Sequence, residues 1–158
     1  MTKYEQQFND YQPTDDIYPE TFHQQIRDDI AIPLADLDKQ SLRTTQIHHK
    51  YLAMTKRAEV RLEKAETEHL QVLHGLYLYY EGRAPDQAYK DKPQQFTLTK
   101  IEIERHIKVN PAFVQSIKIV NLWKQRVSFL KEITTGISKR SFHISNAIKF
   151  LQFNQGEI

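Results

Sequence analysis

The sequence predicts an all-α protein built on two long helices, and three observations carry the prediction. Only four glycines occur in 158 residues. Alternating strand patterns are scarce, whereas apolar residues recur in steps of three and four over long stretches. One such repeat, near the C-terminus, continues for five heptads.

Taken in order, the chain is polar up to Pro19, with Pro13 and scattered tyrosines, and reads as an N-terminal arm (residues 1–19) that is disordered or docked on something else. A short helix over about Glu20 to Ile30 follows Pro19 and stops before Pro33. A long helical pattern runs from roughly Asp38 to Tyr80, with Ile47, Tyr51, Met54, Ala58, Ala65, Val72 and Tyr79 on one stripe, and Gly82 and Pro85 in "EGRAPD" end it. Glu81 to about Gln95 is polar and reads as a mobile loop. Thr99 and Glu102 form a capping box at the start of a short helix.

Asn110, as N-cap, and Pro111, at the first helical position, open the last long helix, about 111–153. Its seam runs through 116, 120, 123, 127, 130, 134, 137, 141, 144, 148 and 151, all Val, Trp, Leu or Ile except Ser116, Thr134 and Ser141. Gly136 inside it costs about 1 kcal/mol relative to alanine and marks a kink or a close helix contact. The simplest architecture is an antiparallel hairpin of two long helices with shorter helices packed at one end, a single domain over residues 20–158.

Composition narrows the function classes. With no cysteine there are no disulfides, no thiolate chemistry and no cysteine-ligated metal. Apolar runs are only a few residues long, and "MTKYEQQFNDYQ" lacks a basic start and an apolar stretch, so the chain reads as a cytosolic protein outside the membrane. The net charge of +2 hides a gradient: residues 1–40 carry three bases against nine acids, and residues 100–158 carry ten against four. Such a front and rear point to a polyanion partner or to packing between copies.

Catalytic constellations are weak. "ETFH" (Glu20, His23) and "ETEH" (Glu66, His69) have the Glu-x-x-His spacing of di-iron bundles, but the two further carboxylates such a site needs have only poor candidates in Glu102 and Glu132. His48 and His49 are adjacent and cannot share a helix face. Phosphate-cradling glycine loops, nucleophile elbows and Walker patterns are absent, so the expectation is a non-enzyme with no metal and no cofactor.

A nucleic-acid reading fares better. Between residues 74 and 93, Tyr77, Tyr79 and Tyr80 stand at a helix end beside Arg83, Lys90 and Lys92, and cations interleaved with aromatics suit single strands. Tyr79 and Tyr80 read as plugs of the bundle end, which leaves Arg83 as the better ligand. Lys139 and Arg140 form a further candidate pair, although Arg140 projects near the apolar stripe, where its stem would pack and its head would meet a carboxylate. Arg57, Arg61 and Lys64 of the first long helix are the next place to search.

The stretch "GISKRSFHISNAIKFLQF" raises a separate question. Projected at about 100° per residue, Ile144, Ile148 and Leu151 form an apolar stripe while Phe142 and Phe153 fall nearly opposite it. Phe142, Phe150 and Phe153 are left over from the subunit core, and with Ile144 and Ile148 they make the candidate interface between copies.

In order, "YYEGR" after a long helix, "TKIEIERHIKVNPAF" and "LKEITTGISKRSFHISNAIKFLQF" resemble the UvsY family of phage recombination mediators, including the Arg140, Phe142, Ile144, Ala147 and Ile148 pattern, over roughly Glu20 to Gly156. The resemblance implies a ring-like homo-oligomer of about six to seven copies that binds single-stranded DNA. It also implies help for a RecA-type recombinase to nucleate on strands coated by single-strand-binding protein, in the cytoplasm of a host cell. Where the family carries a Lys-x-Arg pair before the two tyrosines, this chain has His74 and Leu76, so Arg83, Lys90, Lys92, Lys139 or Arg140 would have to compensate. The rival expectation is a helical adaptor whose phenylalanine face binds another protein without DNA.

Overall fold

A computed structural model describes residues 17–93 and 97–156. Among them are six α-helices: α1 (Glu20–Ile30), α2 (Leu37–Tyr80), α3 (Asp86–Asp91), α4 (Lys100–Val109), α5 (Pro111–Ser138) and α6 (Arg140–Gln155), with a 3-10 turn at Leu34–Asp36. The all-α expectation with two long helices holds. The last helix is not continuous to 153 as expected; it breaks at Lys139. The chain forms two compact units, residues 1–57 with 125–158, and residues 58–124.

In the first unit, the start of α2 packs antiparallel to the end of α5, with Tyr51, Leu130, Ile137 and Ile144 almost fully buried. The polar seam position Thr134 is answered from α2: its hydroxyl lies 3.4 Å from that of Thr55, while each threonine hydroxyl also donates to the carbonyl four residues back. Paired hydroxyls inside a seam cost little because each remains satisfied. The expected alternative of a close helix contact at Gly136 is absent, since a Cβ there would meet nothing within 4 Å. Instead Lys139 N–H donates to the Gly136 carbonyl at 3.1 Å, a tighter turn that ends α5.

That turn changes which residue enters the seam. Ser141, the expected seam member, is exposed and Arg140 is buried in its place at 3% exposure. Its Nη2 donates to the Ala31 carbonyl at 2.8 Å and to Gln40 Oε1 at 2.6 Å. The expected carboxylate partner is therefore corrected: a carbonyl and an amide receive the guanidinium. Burial and the nearby Arg43 pull its proton affinity down, against the opposing pull of Asp29.

Asp29 ties α1 to α2, accepting from Arg43 at 3.3 Å, Lys50 at 2.6 Å and the Tyr51 hydroxyl at 3.0 Å. The packed part of the chain begins earlier than expected, because Tyr18, at the end of the expected arm, is core. Its ring lies 4.6 Å from Phe22 and 5.3 Å from Phe129, and Arg126 Nε donates to the Ile17 carbonyl at 3.2 Å. The rest of the arm, residues 1–16, lies outside the described residues.

In the second unit, α2 from Ala58 to Tyr80 runs antiparallel to the start of α5, and Ala58, Ala65, Ile103, Ile107 and Val120 are buried. The seam's other polar member, Ser116, is again answered from α2, by His69 Nδ1 at 2.8 Å. Both expected caps form. Thr99 N–H donates to Glu102 Oε2 at 2.8 Å, and Asn110 Oδ1 accepts from Ala112 N–H at 2.9 Å. Bonds from Thr99 hold the exposed Glu102 carboxyl below the usual range.

Two predictions follow from the first unit. Leu130→Ala, at a fully buried position, should destabilise by about 2 to 5 kcal/mol, read by urea denaturation. Burial pushes the ionisation of Tyr18 up, and burial with the Asp29 carboxylate does the same for Tyr51. A raised folded-state value favours the neutral phenol, so this contribution is complete below the unfolded value of about 10 and is lost as pH rises above it. Denaturation midpoints should fall as pH rises through about 10, and fall less steeply in Tyr51→Phe, which has no phenol to ionise; an unchanged alkaline slope in that variant would refute the assignment.

Candidate nucleic-acid interface

The end of α2 is built by backbone geometry before any cation is placed. Gly82 sits at φ 78°, its N–H donating to the Tyr79 carbonyl at 3.2 Å, and Arg83 N–H reaches back to the Leu78 carbonyl at 2.8 Å. These two bonds make a Schellman cap, which needs the left-handed conformation that glycine adopts without strain. Arg83 therefore leaves the helix at a fixed point, with its side chain 74% exposed and 3.4 Å from Glu81.

The following segment is not the loop expected from its polarity. It contains α3, and Tyr89 pins it: the hydroxyl donates to the Tyr79 carbonyl at 2.8 Å and accepts from Ala84 N–H at 3.1 Å. The Tyr89 ring stacks on Tyr79 at 5.3 Å, and the Tyr79 hydroxyl donates to the Lys92 carbonyl at 2.7 Å. Tyr80 stacks on His106 at 5.6 Å and accepts from Asn110 Nδ2 at 3.3 Å, holding α4 against the end of α2. Tyr79 and Tyr80 thus close the helix end, as their expected role as plugs requires, half-buried and each stacked on one neighbouring ring. Gln94, Gln95 and Phe96 lie outside the described residues.

Lys90 and Lys92 are exposed, and neither pairs with a carboxylate among the described residues. Sequence reasoning missed further cations on α4, the helix that Tyr80 holds through His106. Arg105 and Lys108 are exposed, three residues apart on the face away from Ile103 and Ile107, and Lys100 and Lys118 are exposed as well. The signal was available: Lys100, Arg105, Lys108 and Lys118 face only Glu102 and Glu104 in that stretch, and Glu102 is consumed by its cap. A set of cations with occupied aromatics can neutralise phosphates but reads no bases.

The remaining candidates are scattered. His74 is exposed on α2. Arg61 is exposed and Lys64 reaches Glu68 at 3.8 Å. Arg57 is exposed in the first unit. There Lys139 is exposed at the helix break, whereas Arg140 is inside and does not face solvent, which removes it from the DNA candidates. The same holds for Ile144 as an interface residue, at 3% exposure. Phe142, Phe150 and Phe153 are 66%, 65% and 70% exposed, and Ile148 is 39% exposed.

Neither Glu-x-x-His pair presents a ligand set. Glu20 pairs with Arg27, and the His23 ring packs edge-on against Phe129 at 5.4 Å. Glu66 lies 3.4 Å from Lys124, and His69 is held by Ser116. Among the described residues no three His, Asp or Glu side chains gather in a metal-binding group, and no described helix is long and apolar enough to cross a membrane.

Comparison with known proteins gives two findings. Residues 25–157 match the family model described as UvsY, recombination, repair and ssDNA binding protein. The crystal structure of the bacteriophage T4 recombination mediator protein UvsY superposes with a TM-score of 0.76 at 16% identity, covering 87% of this chain and 98% of that one. No curated protein matches the chain in sequence.

Tyr89→Phe should loosen the segment after α2 without unfolding the unit. Amide exchange should rise for residues 84–92, by about the factor of five that one hydrogen bond's net worth of roughly 1 kcal/mol allows, while the α4 amides stay protected. Unchanged exchange at Ala84 would mean that the hydroxyl does not hold it.

Proposed function

The chain belongs to the UvsY family of recombination, repair and ssDNA-binding proteins, and from that premise we propose that it binds single-stranded DNA as a homo-oligomer and acts as a recombination mediator. In this reading it helps a RecA-type recombinase nucleate on strands occupied by single-strand-binding protein. The observation that carries the DNA contact is the group of exposed cations around the tyrosine-pinned end of the second unit: Arg83, Lys90 and Lys92 with Arg105 and Lys108. They stand in for the family's Lys-x-Arg pair, which is His74 and Leu76 in this chain.

A few cations per subunit bind a strand weakly. Several copies tethered in one assembly raise the effective concentration of each site and turn weak contacts into a useful affinity. The surface that would join copies is the outward side of α6, where covering each phenylalanine is worth about 1.5 to 3 kcal/mol. Three per copy offset a substantial part of an association cost of about 4 to 15 kcal/mol. A ring of about six to seven copies, as the family resemblance implies, would place the cations along one strand and impose a path that suits the recombinase better than the coat protein.

Fluorescence anisotropy with labelled oligo-dT tests the contact. Log affinity should fall with log salt at about −0.7 per phosphate neutralised. Arg83→Glu with Lys90→Glu and Lys92→Glu should flatten that slope and leave the oligomer intact. If this variant binds like the wild type, the site lies elsewhere, with Arg57, Arg61 and Lys64 next in line.

Phe142→Ser with Phe153→Ser should reduce the assembled mass to 18.8 kDa and weaken DNA binding at the same time. Light scattering reads the first effect and anisotropy the second. A wild-type chain that is monomeric at micromolar concentration, or one that binds another protein and no DNA, would favour the adaptor reading.

A further inference from the structure

The outward face of α6 combines apolar and basic groups. Projected at about 100° per residue, Phe142, Lys149, Phe150 and Phe153 fall within roughly a 100° arc opposite the buried Ile144, and Lys139 precedes them at the helix break. Lys139 and Lys149 are exposed, and no acidic residue occurs between 133 and 156 to neutralise them.

The opposite charge is at the other end of the chain. In the described part of the acidic front, Glu20 pairs with Arg27, Asp36 with Lys39, and Asp29 with Arg43 and Lys50. Residues 1–16 contribute Glu5, Asp10, Asp15 and Asp16 against Lys3 alone. They also contribute the aromatics Tyr4, Phe8 and Tyr11.

We propose that residues 1–16 cover the Phe142, Phe150 and Phe153 face of α6 in the unassembled subunit, so that joining copies must first displace this segment. The inference rests on the self-assembly reading above. Its second support is reach. Ile17 and Tyr18 are fastened to Arg126 and Phe129 in the same unit as α6. Sixteen residues can extend about 50 Å, twice the roughly 24 Å length of a 16-residue helix. The segment also precedes the matched part of the chain, which begins at residue 25, so it is free to carry a function of this chain's own.

The test removes residues 2–16 and keeps Ile17, Tyr18 and Pro19, with thermal melting as the check that the fold persists. A face covered nine-tenths of the time weakens apparent association about tenfold. The concentration of half-assembly, read by sedimentation over a dilution series, should therefore fall about tenfold in the shortened chain. Asp10→Asn with Asp15→Asn and Asp16→Asn should move the full-length chain the same way, and about 0.5 M salt should narrow the gap.

Equal midpoints would overturn the proposal. A higher midpoint for the shortened chain would overturn it too, because the segment would then belong to the joint between copies. If both chains are monomeric at every concentration, the self-assembly reading fails and the cover is judged separately, with a labelled peptide of residues 1–16 on the shortened chain. Nine-to-one closure at an effective concentration of about 1 mM corresponds to a peptide Kd of about 0.1 mM. Binding at that level, lost in Lys139→Glu with Lys149→Glu, would uphold the cover, and no binding would overturn it.

Discussion

One buried guanidinium sets the direction in which the C-terminal helix faces. Arg140 replaces Ser141 in the seam because the chain turns tightly at Lys139, and its bonds to the Ala31 carbonyl and Gln40 fasten three elements together. Burying a charge on two neutral acceptors is costly, and Nε and Nη1 have no hydrogen-bond partner among the described residues. With Arg140 and Ile144 turned inward, Phe142 and Phe153 have to point outward. The outward phenylalanine face is thus fixed by a charged residue that never reaches it.

The two polar positions left in the seam work differently. Thr134 and Ser116 each meet a polar partner on α2, Thr55 in one unit and His69 in the other. A seam of identical apolar residues would tolerate a slip of one heptad. A slip here would keep each hydroxyl bonded to its own helix carbonyl but break the contacts to Thr55 and His69, so the polar pairs favour one register.

Much of the fold was legible in the sequence where its signals are local. Glu20–Ile30 is observed end to end, α2 begins one residue before its expected start, and the Thr99 and Asn110 caps are made by neighbours within four residues. What escaped depends on distant partners. The step from 137 to 144 can pass through 140 or 141 with the same heptad length, and only contacts about a hundred residues away choose Arg140. Tyr18 hid in a polar run, since nothing nearby tells that Phe129 will receive it. Helix α3 is only six residues long, and the carbonyl that Tyr89 binds ten residues back lies beyond any helical period. For the candidate site, Arg83, Lys90 and Lys92 were readable as exposed cations after a helix end. Arg105 and Lys108 were hidden inside a net charge, which carries no geometry.

The tyrosine-pinned helix end has a consequence for what a bound strand could do. Tyr79, Tyr80 and Tyr89 spend their rings and hydroxyls on one another, on His106 and on backbone carbonyls. A strand held there by cations would be gripped through its sugar-phosphate rail, while these three tyrosines stay engaged with one another and with the backbone. Its Watson–Crick edges would stay unoccupied, and a complementary strand could test them for homology while the protein is still in place.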